Sequence, residues 1–191
     1  MTRPRVFVTR AILPKGFDLL KDRLDVDLWP GELPPPQGEL LRRVQGIDGL
    51  LCLLTDPIDA ALMDAAGPQL KVISNMAVGY DNIDVQEATR RGIPVGNTPG
   101  ILTDATADFA FALLLAAARR VVEADRFTRA GKWQTWGPAL LLGADLTGAT
   151  LGIIGFGRIG QALAKRAAGF EMRILAHDPA LPTPPQPPVQ A

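Results

Sequence analysis

The stretch "TLGIIGFGRIGQALAKRAAGFEMRILAHD" constrains the fold of this chain more than any other. Gly155, Gly157 and Gly160 form G-x-G-x-x-G directly after an apolar strand and directly before a helix pattern. The first glycine permits a tight turn, the second lets the backbone approach a pyrophosphate, and the third lets helix and strand pack closely. The helix N-terminus then offers free N–H groups and a positive dipole to phosphates. A second strand, within "EMRILAHD", ends in Asp178, eighteen residues after Gly160. A carboxylate there accepts hydrogen bonds from the adenosine ribose hydroxyls. It also repels a 2′-phosphate, so Asp178 favours NAD over NADP. A turn before Pro179 would use an acid as well, but the full strand–glycines–helix–strand–acid set favours the ribose role.

Ahead of this unit, short apolar runs alternate with helix-like segments. "VFVT" reads as a strand, "PKGFDLLKDRL" as a helix and "DVDLW" as a strand; "GELPPPQ" is a loop. A short helix around Leu40, Leu41 and Val44 leads into the strand "GLLCLL". In "TDPIDAALMDAAGP", Asp56 suits the N-cap and Pro57 the first turn, while Gly67 and Pro68 stop the helix. "LKVIS" is a strand, "NIDVQEATRRG" a helix closed by Gly92, and "IPVGN" the next strand. Strands alternating with helices imply a mainly parallel sheet covered on both faces. Residues 1–98 therefore read as one complete α/β lobe and 99–180 as an incomplete dinucleotide-binding lobe. A helix running on from Thr103, its N-cap, through "FAFALLLAAA" towards Gly131 joins them. It is apolar all round in its middle, which calls for enclosure between domains or against another subunit.

The loop "NMAVGYDNID" follows a strand that ends near Ser74. Ligands of parallel α/β sheets gather beyond the carboxyl ends of the strands, and Gly79 would let backbone N–H groups point at an anion there. On pattern alone, a plain connecting loop is the better fit.

Composition narrows the functional class. Twenty basic residues balance twenty acidic ones, which gives no basic stripe for nucleic acid or a membrane surface. The longest apolar run has ten residues, and the N-terminus lacks the apolar stretch of a signal peptide. The single cysteine, Cys52, sits in an apolar strand and reads as a buried hydrophobe, in keeping with a reducing, cytoplasmic setting.

Three blocks, "NMAVGYDNID", "GIPVGNTPGILTDATADFAFALLLAAAR" and "LTGATLGIIGFGRIGQALAKRAAGFEMRIL", closely resemble the D-isomer-specific 2-hydroxyacid dehydrogenases, nearest to the glyoxylate/hydroxypyruvate reductases. The resemblance runs to about Pro179. It implies a flavodoxin-like parallel-sheet substrate lobe followed by the first part of a Rossmann NAD-binding lobe, and an oxidoreductase acting on a small 2-keto or 2-hydroxy acid. It further implies that the amides of Val78 and Gly79 hold the substrate carboxylate, that Leu54 lines the pocket and that Thr103 lies near the cofactor. The amides of Arg158 and Ile159 would meet the pyrophosphate. Full-length members pair as homodimers, and no metal enters this reading.

Reduction of a 2-keto acid needs a proton donor for the developing alkoxide and a cation for the carboxylate and carbonyl. By the resemblance, a histidine, a carboxylate and an arginine downstream of the second cofactor-lobe strand supply these, so no catalytic residue is assigned within the chain. The only histidine, His177, sits beside Asp178 on the adenosine side. The last thirteen residues contain six prolines and read as an extended, disordered proline-rich tail over 181–191, without further helix. A truncated or frameshifted product explains this ending best, and a proline-rich ligand is the alternative. The isolated chain is expected to be inactive, with NAD binding weak or absent. The alternative to a reductase is a non-catalytic remnant that binds or pairs with other subunits. "TLGIIG" and "MRIL" are expected to leave an apolar edge of the short sheet exposed.

Overall fold

The computed structural model of the chain describes residues 2–180 and the backbone of residues 189–190. Contacts divide it into two compact units, Met1–Pro99 and Gly100–Ala191.

The first unit is built on five strands, β1 (Arg5–Val8), β2 (Asp25–Leu28), β3 (Gly49–Cys52), β4 (Val72–Asn75) and β5 (Val95–Gly96). They lie in the order β2-β1-β3-β4-β5, every neighbouring pair parallel. This is the flavodoxin-like order, whose direction reverses between β1 and β3. Phe7 stands opposite Leu50, and Leu50 opposite Ile73, so one row of side chains crosses three strands. All three are almost wholly buried, each worth about 1.5–3 kcal/mol of apolar transfer. Leu40, Val44, Leu62, Met63 and Ile83 complete that core from the connecting segments.

Those segments hold α1 (Pro14–Lys21), α2 (Gln37–Arg43), α3 (Ala60–Ala66) and α4 (Val85–Arg90). The cap of α3 differs from the expectation. Asp59, not Asp56, holds it, its carboxylate accepting from the Leu62 amide at 2.9 Å. Asp56 is instead buried and bonded elsewhere, because Ile58 first makes a parallel bridge to Ile83 and delays the helix. Pro57 therefore precedes the first turn. Gly67 ends α3 at φ 85, as its position suggests, and Asp84 caps α4 through the Glu87 amide.

In the second unit the single long helix expected from Thr103 is two, α5 (Thr103–Ala118) and α6 (Val121–Arg129). Arg120 adopts a left-handed backbone, φ 54, and breaks the run. Thr103 is not an N-cap but the first helical residue; Leu102 stands at the cap, with no side-chain hydrogen bond. β6 (Thr150–Ile154) and β7 (Arg173–His177) pair in parallel around α7 (Arg158–Ala168). Phe111, Leu146, Ile153, Ala167, Met172 and Ile174 form the core, with the Phe111 and Phe170 rings 5.0 Å apart and tilted 57°. Gly160, Ala162, Ala164 and Ala167 give α7 a buried face of small residues. Arg166 ties α7 to α5: it donates to Asp108, to the Asp104 carboxylate at 3.3 Å and to the Ala162 carbonyl at 2.8 Å. The two acids near the start of α5 thus have a specific partner.

Within this unit α5 is covered on one side only. Phe109 is 66% exposed and Leu113 54% exposed. Ile154, at the end of β6, is 92% exposed, as expected for an apolar strand edge in a short sheet. The expectation of a disordered tail over 181–191 falls outside the described residues except at Val189 and Gln190, where it is corrected: the two pair in parallel with Ile174 and Leu175 as β8 (Val189–Gln190).

Candidate functional site

Two loops at the carboxyl ends of β3 and β4 carry the candidate residues of the first unit. The turn after β4 is held by its carbonyls. Ala77 O accepts from the Thr98 amide at 2.9 Å, Val78 O from Asn97 Nδ2 at 2.8 Å and Gly79 O from Asn75 Nδ2 at 2.9 Å. Three successive carbonyls are therefore anchored. The amides of Val78 and Gly79 have no acceptor among the described residues. A Cβ at Gly79 would meet only Asp81 Oδ2, at 3.8 Å, so the backbone there is open to close approach.

The loop after β3 is equally fixed. Asp56, 1% exposed, accepts from Thr9 Oγ1 at 2.5 Å and from the Leu53 amide at 2.8 Å. Its other oxygen faces Arg10 Nη2 at 3.7 Å, and Arg10 also donates to Thr55 Oγ1. Leu54 stands at the tip of this loop, 65% exposed. Thr9 and Arg10 follow β1, so this cluster occupies the point where the strand order reverses. Cys52 lies beneath, fully buried, and its thiol is pushed up to about 12 by burial first and by the Asp56 charge second. It stays a neutral thiol and no nucleophile.

In the second unit the glycine turn takes the form its spacing implies. Gly155 has φ 87, a conformation that glycine alone adopts freely. Its amide donates to the His177 carbonyl at 2.8 Å, and the Phe156 amide donates to Asp178 Oδ2 at 2.7 Å. A Cβ on Gly160 would overlap the Gly155 carbonyl oxygen, which accounts for the third glycine by packing. Gly157 is different. It has φ −70 and ψ −160, open to any residue, and nothing lies within 4 Å of the place its Cβ would take. Beside that space the amides of Arg158 and Ile159, at the start of α7, have no acceptor among the described residues. An anionic group that must press against backbone fits this cradle.

Asp178 does more than its position implied. Its second oxygen accepts from the Ala180 amide at 2.9 Å, and that bond, followed by the one from Phe156, holds the carboxyl below its ordinary range. Each oxygen keeps a further lone pair for a hydroxyl donor. Thr103 is half-buried in the first turn of α5. His177 is exposed at the end of β7, next to Asp178.

The asparagines 75, 82 and 97, the Thr9–Arg10–Asp56 cluster and the Arg166 clamp were not singled out by sequence reasoning. Only the apolar strand before Asn75 and the D-N before Ile83 hinted at polar groups placed beyond a strand end.

A profile of the family described as D-isomer specific 2-hydroxyacid dehydrogenase, catalytic domain, matches residues 6–175. The chain belongs to this family. Among 2-hydroxyacid dehydrogenase relatives, the glyoxylate reductase of Korarchaeum cryptofilum is 58% identical over 177 residues, which cover 92% of this chain and 53% of that protein. The solved TT0316 protein of Thermus thermophilus superposes with a TM-score of 0.90 at 50% identity, over 98% of this chain and 60% of that one. D-lactate dehydrogenase from Aquifex aeolicus, solved with NAD and lactic acid, gives 0.74 at 25% identity, over 94% and 52%. The chain thus spans about half the length of the relatives it matches. No helix among the described residues is long and apolar enough to cross a membrane.

Proposed function

We propose that the chain is the substrate-lobe and phosphate-turn portion of an NAD-dependent reductase of small 2-keto acids, of the glyoxylate/hydroxypyruvate type. The observation that carries this reading is the turn at 77–79, where three anchored carbonyls leave the Val78 and Gly79 amides free for one carboxylate. Two neighbouring N–H donors without acceptors suit the two oxygens of a carboxylate. Leu54, on the facing loop, supplies the apolar wall against the carbon chain.

The residues around Gly157 suit a nicotinamide dinucleotide, and the lactate dehydrogenase solved with NAD favours one. When bound, the dinucleotide supplies the hydride. Gly157 admits the pyrophosphate, the Arg158 and Ile159 amides receive it, and Asp178 takes the ribose hydroxyls and disfavours a 2′-phosphate. Thr103 would lie along the same site. No residue described above is assigned to proton donation or to the cation for the carbonyl.

The test is a titration of the 191-residue polypeptide, labelled with ¹⁵N, with oxalate, an unreactive analogue of glyoxylate. The Val78 and Gly79 amide resonances should move downfield together and saturate. Movement elsewhere with these two unchanged overturns the reading.

A second reading rests on α5. The exposure of Phe109 and Leu113 suits pairing of this helix with a second copy, as in a subunit-pairing module. Sedimentation of the wild-type chain beside Phe109→Glu distinguishes a dimer through α5 from a monomer.

A further inference from the structure

Between the two loops of the first unit lies a side chain with no assigned role. Asn82, half-buried, donates both protons of Nδ2, one to the Leu53 carbonyl at 3.1 Å and one to the Asp56 carbonyl at 3.0 Å. Its Oδ1 accepts from Asn75 Nδ2 at 3.1 Å. The remaining Asn75 proton goes to Gly79 O at 2.9 Å. Asn75 is 2% exposed, and its Oδ1 accepts from the Cys52 thiol at 3.5 Å.

We propose that Asn82 is the positioning residue that fixes the spacing between the Leu54 loop and the Val78–Gly79 turn, and thereby sets the affinity for the substrate carboxylate. This rests on reading that turn as a carboxylate cradle.

A single side chain must give two protons to one loop and accept one from the anchor of the other. Asparagine has that inventory at this length; aspartate has the acceptor without the donors, and serine lacks the second donor. The amide orientation follows from its partners, since a flipped group would set its oxygen against two carbonyls. The link is also neutral. An aspartate at 82 would place a negative charge two hydrogen bonds from the anion site and face two carbonyl oxygens with no proton to give. The loop it holds is already internally tied, Asp56 N to Leu53 O at 3.0 Å and Leu53 N to Asp56 Oδ2, so it moves as a body. Losing the Asn82 bridge therefore shifts Leu54 and loosens Gly79 together.

The experiment compares oxalate titrations of the wild-type chain and Asn82→Asp by the Val78 and Gly79 amide shifts, well below the melting temperature and with native circular dichroism confirmed. The variant should bind oxalate at least about tenfold more weakly, since misplacement of a preorganised site by less than about 1 Å has effects of this order. Equal affinity overturns the proposal, because a purely structural role lowers the melting temperature and leaves binding by the folded protein intact. Absence of binding by the wild type strikes the cradle reading itself instead. Should Asn82→Asp fail to fold, the wild-type side chain supplies the measurement. Both Asn82 amide protons should exchange slowly with solvent, and rapid exchange of either overturns the bridge.

Discussion

Replacing Gly160 and Gly157 with alanine, one at a time, separates packing from ligand approach within a single motif. At Gly160 the new Cβ would fall on the Gly155 carbonyl oxygen. That oxygen cannot swing away, since the Gly155 amide is tied to His177 O at 2.8 Å and the next amide to Asp178 at 2.7 Å. Overpacking of this kind costs about 1–3 kcal/mol. The better helix propensity of alanine in α7 returns about 0.5–1 kcal/mol. The net loss, about 1 kcal/mol and at most about 2.5 kcal/mol, lowers the melting temperature by about 2–10 °C for a chain of this size. At Gly157 the added methyl meets no protein atom and the backbone is already permitted. Loss of a favourable N-cap, about 0.5–1 kcal/mol, is offset by the lower entropy of the unfolded chain. Gly157→Ala should melt within about 1–2 °C of wild type. Circular dichroism melts, checked for reversibility, read both. Equal destabilisation of the two variants, or a neutral Gly160→Ala, would refute the division of roles.

Arg166→Met keeps the apolar stem and removes the bonds to Asp104, Asp108 and Ala162 O; a small drop in melting temperature is expected, shrinking in high salt, as melts at two ionic strengths would reveal. Cys52 should stay silent towards a thiol reagent at about pH 8 in the folded chain and react only in denaturant, because its ionisation is pushed up to about 12; rapid native labelling contradicts its burial. Glu87 is drawn down to about 2 by hydrogen bonds from Arg90 and then Arg91. Its contribution to stability is therefore complete above its ordinary value of 4.5 and is lost as pH falls towards about 2. Glu87→Gln should flatten the fall of melting temperature across that window, and an unchanged pH profile would remove Glu87 from the account.

What the sequence made legible was whatever depends on neighbours a few residues apart. The period of "VFVT" and "GLLCLL", the stop at Gly67 and the glycines of the turn all report local constraints, and each strand formed where its apolar run stands. Legibility failed where the deciding contact is distant in the chain. Asp56 and Asp59 are equally good caps by type; the choice was made by Thr9 and Arg10, more than forty residues away. The break at Arg120 has no glycine or proline to announce it. In the candidate site, Val78 and Gly79 were read from resemblance, whereas the asparagines that anchor their carbonyls look in the sequence like ordinary loop residues. An amide side chain declares its role only when its partners are known.

The strand order of the first unit also bears on how the chain assembles during synthesis. The five-stranded sheet draws on nothing beyond Gly96, its last paired residue. Nascent domains fold as units from the N-terminus, so this lobe can close its core while the remainder is still being translated. The second unit has no such head start. α5 emerges as an apolar helix at 103–118, but the α7 residues that cover one of its sides come only at 158–168. For that interval of translation Phe111 is as bare as Phe109, so the stretch of nascent chain most open to aggregation is this helix and not the beginning.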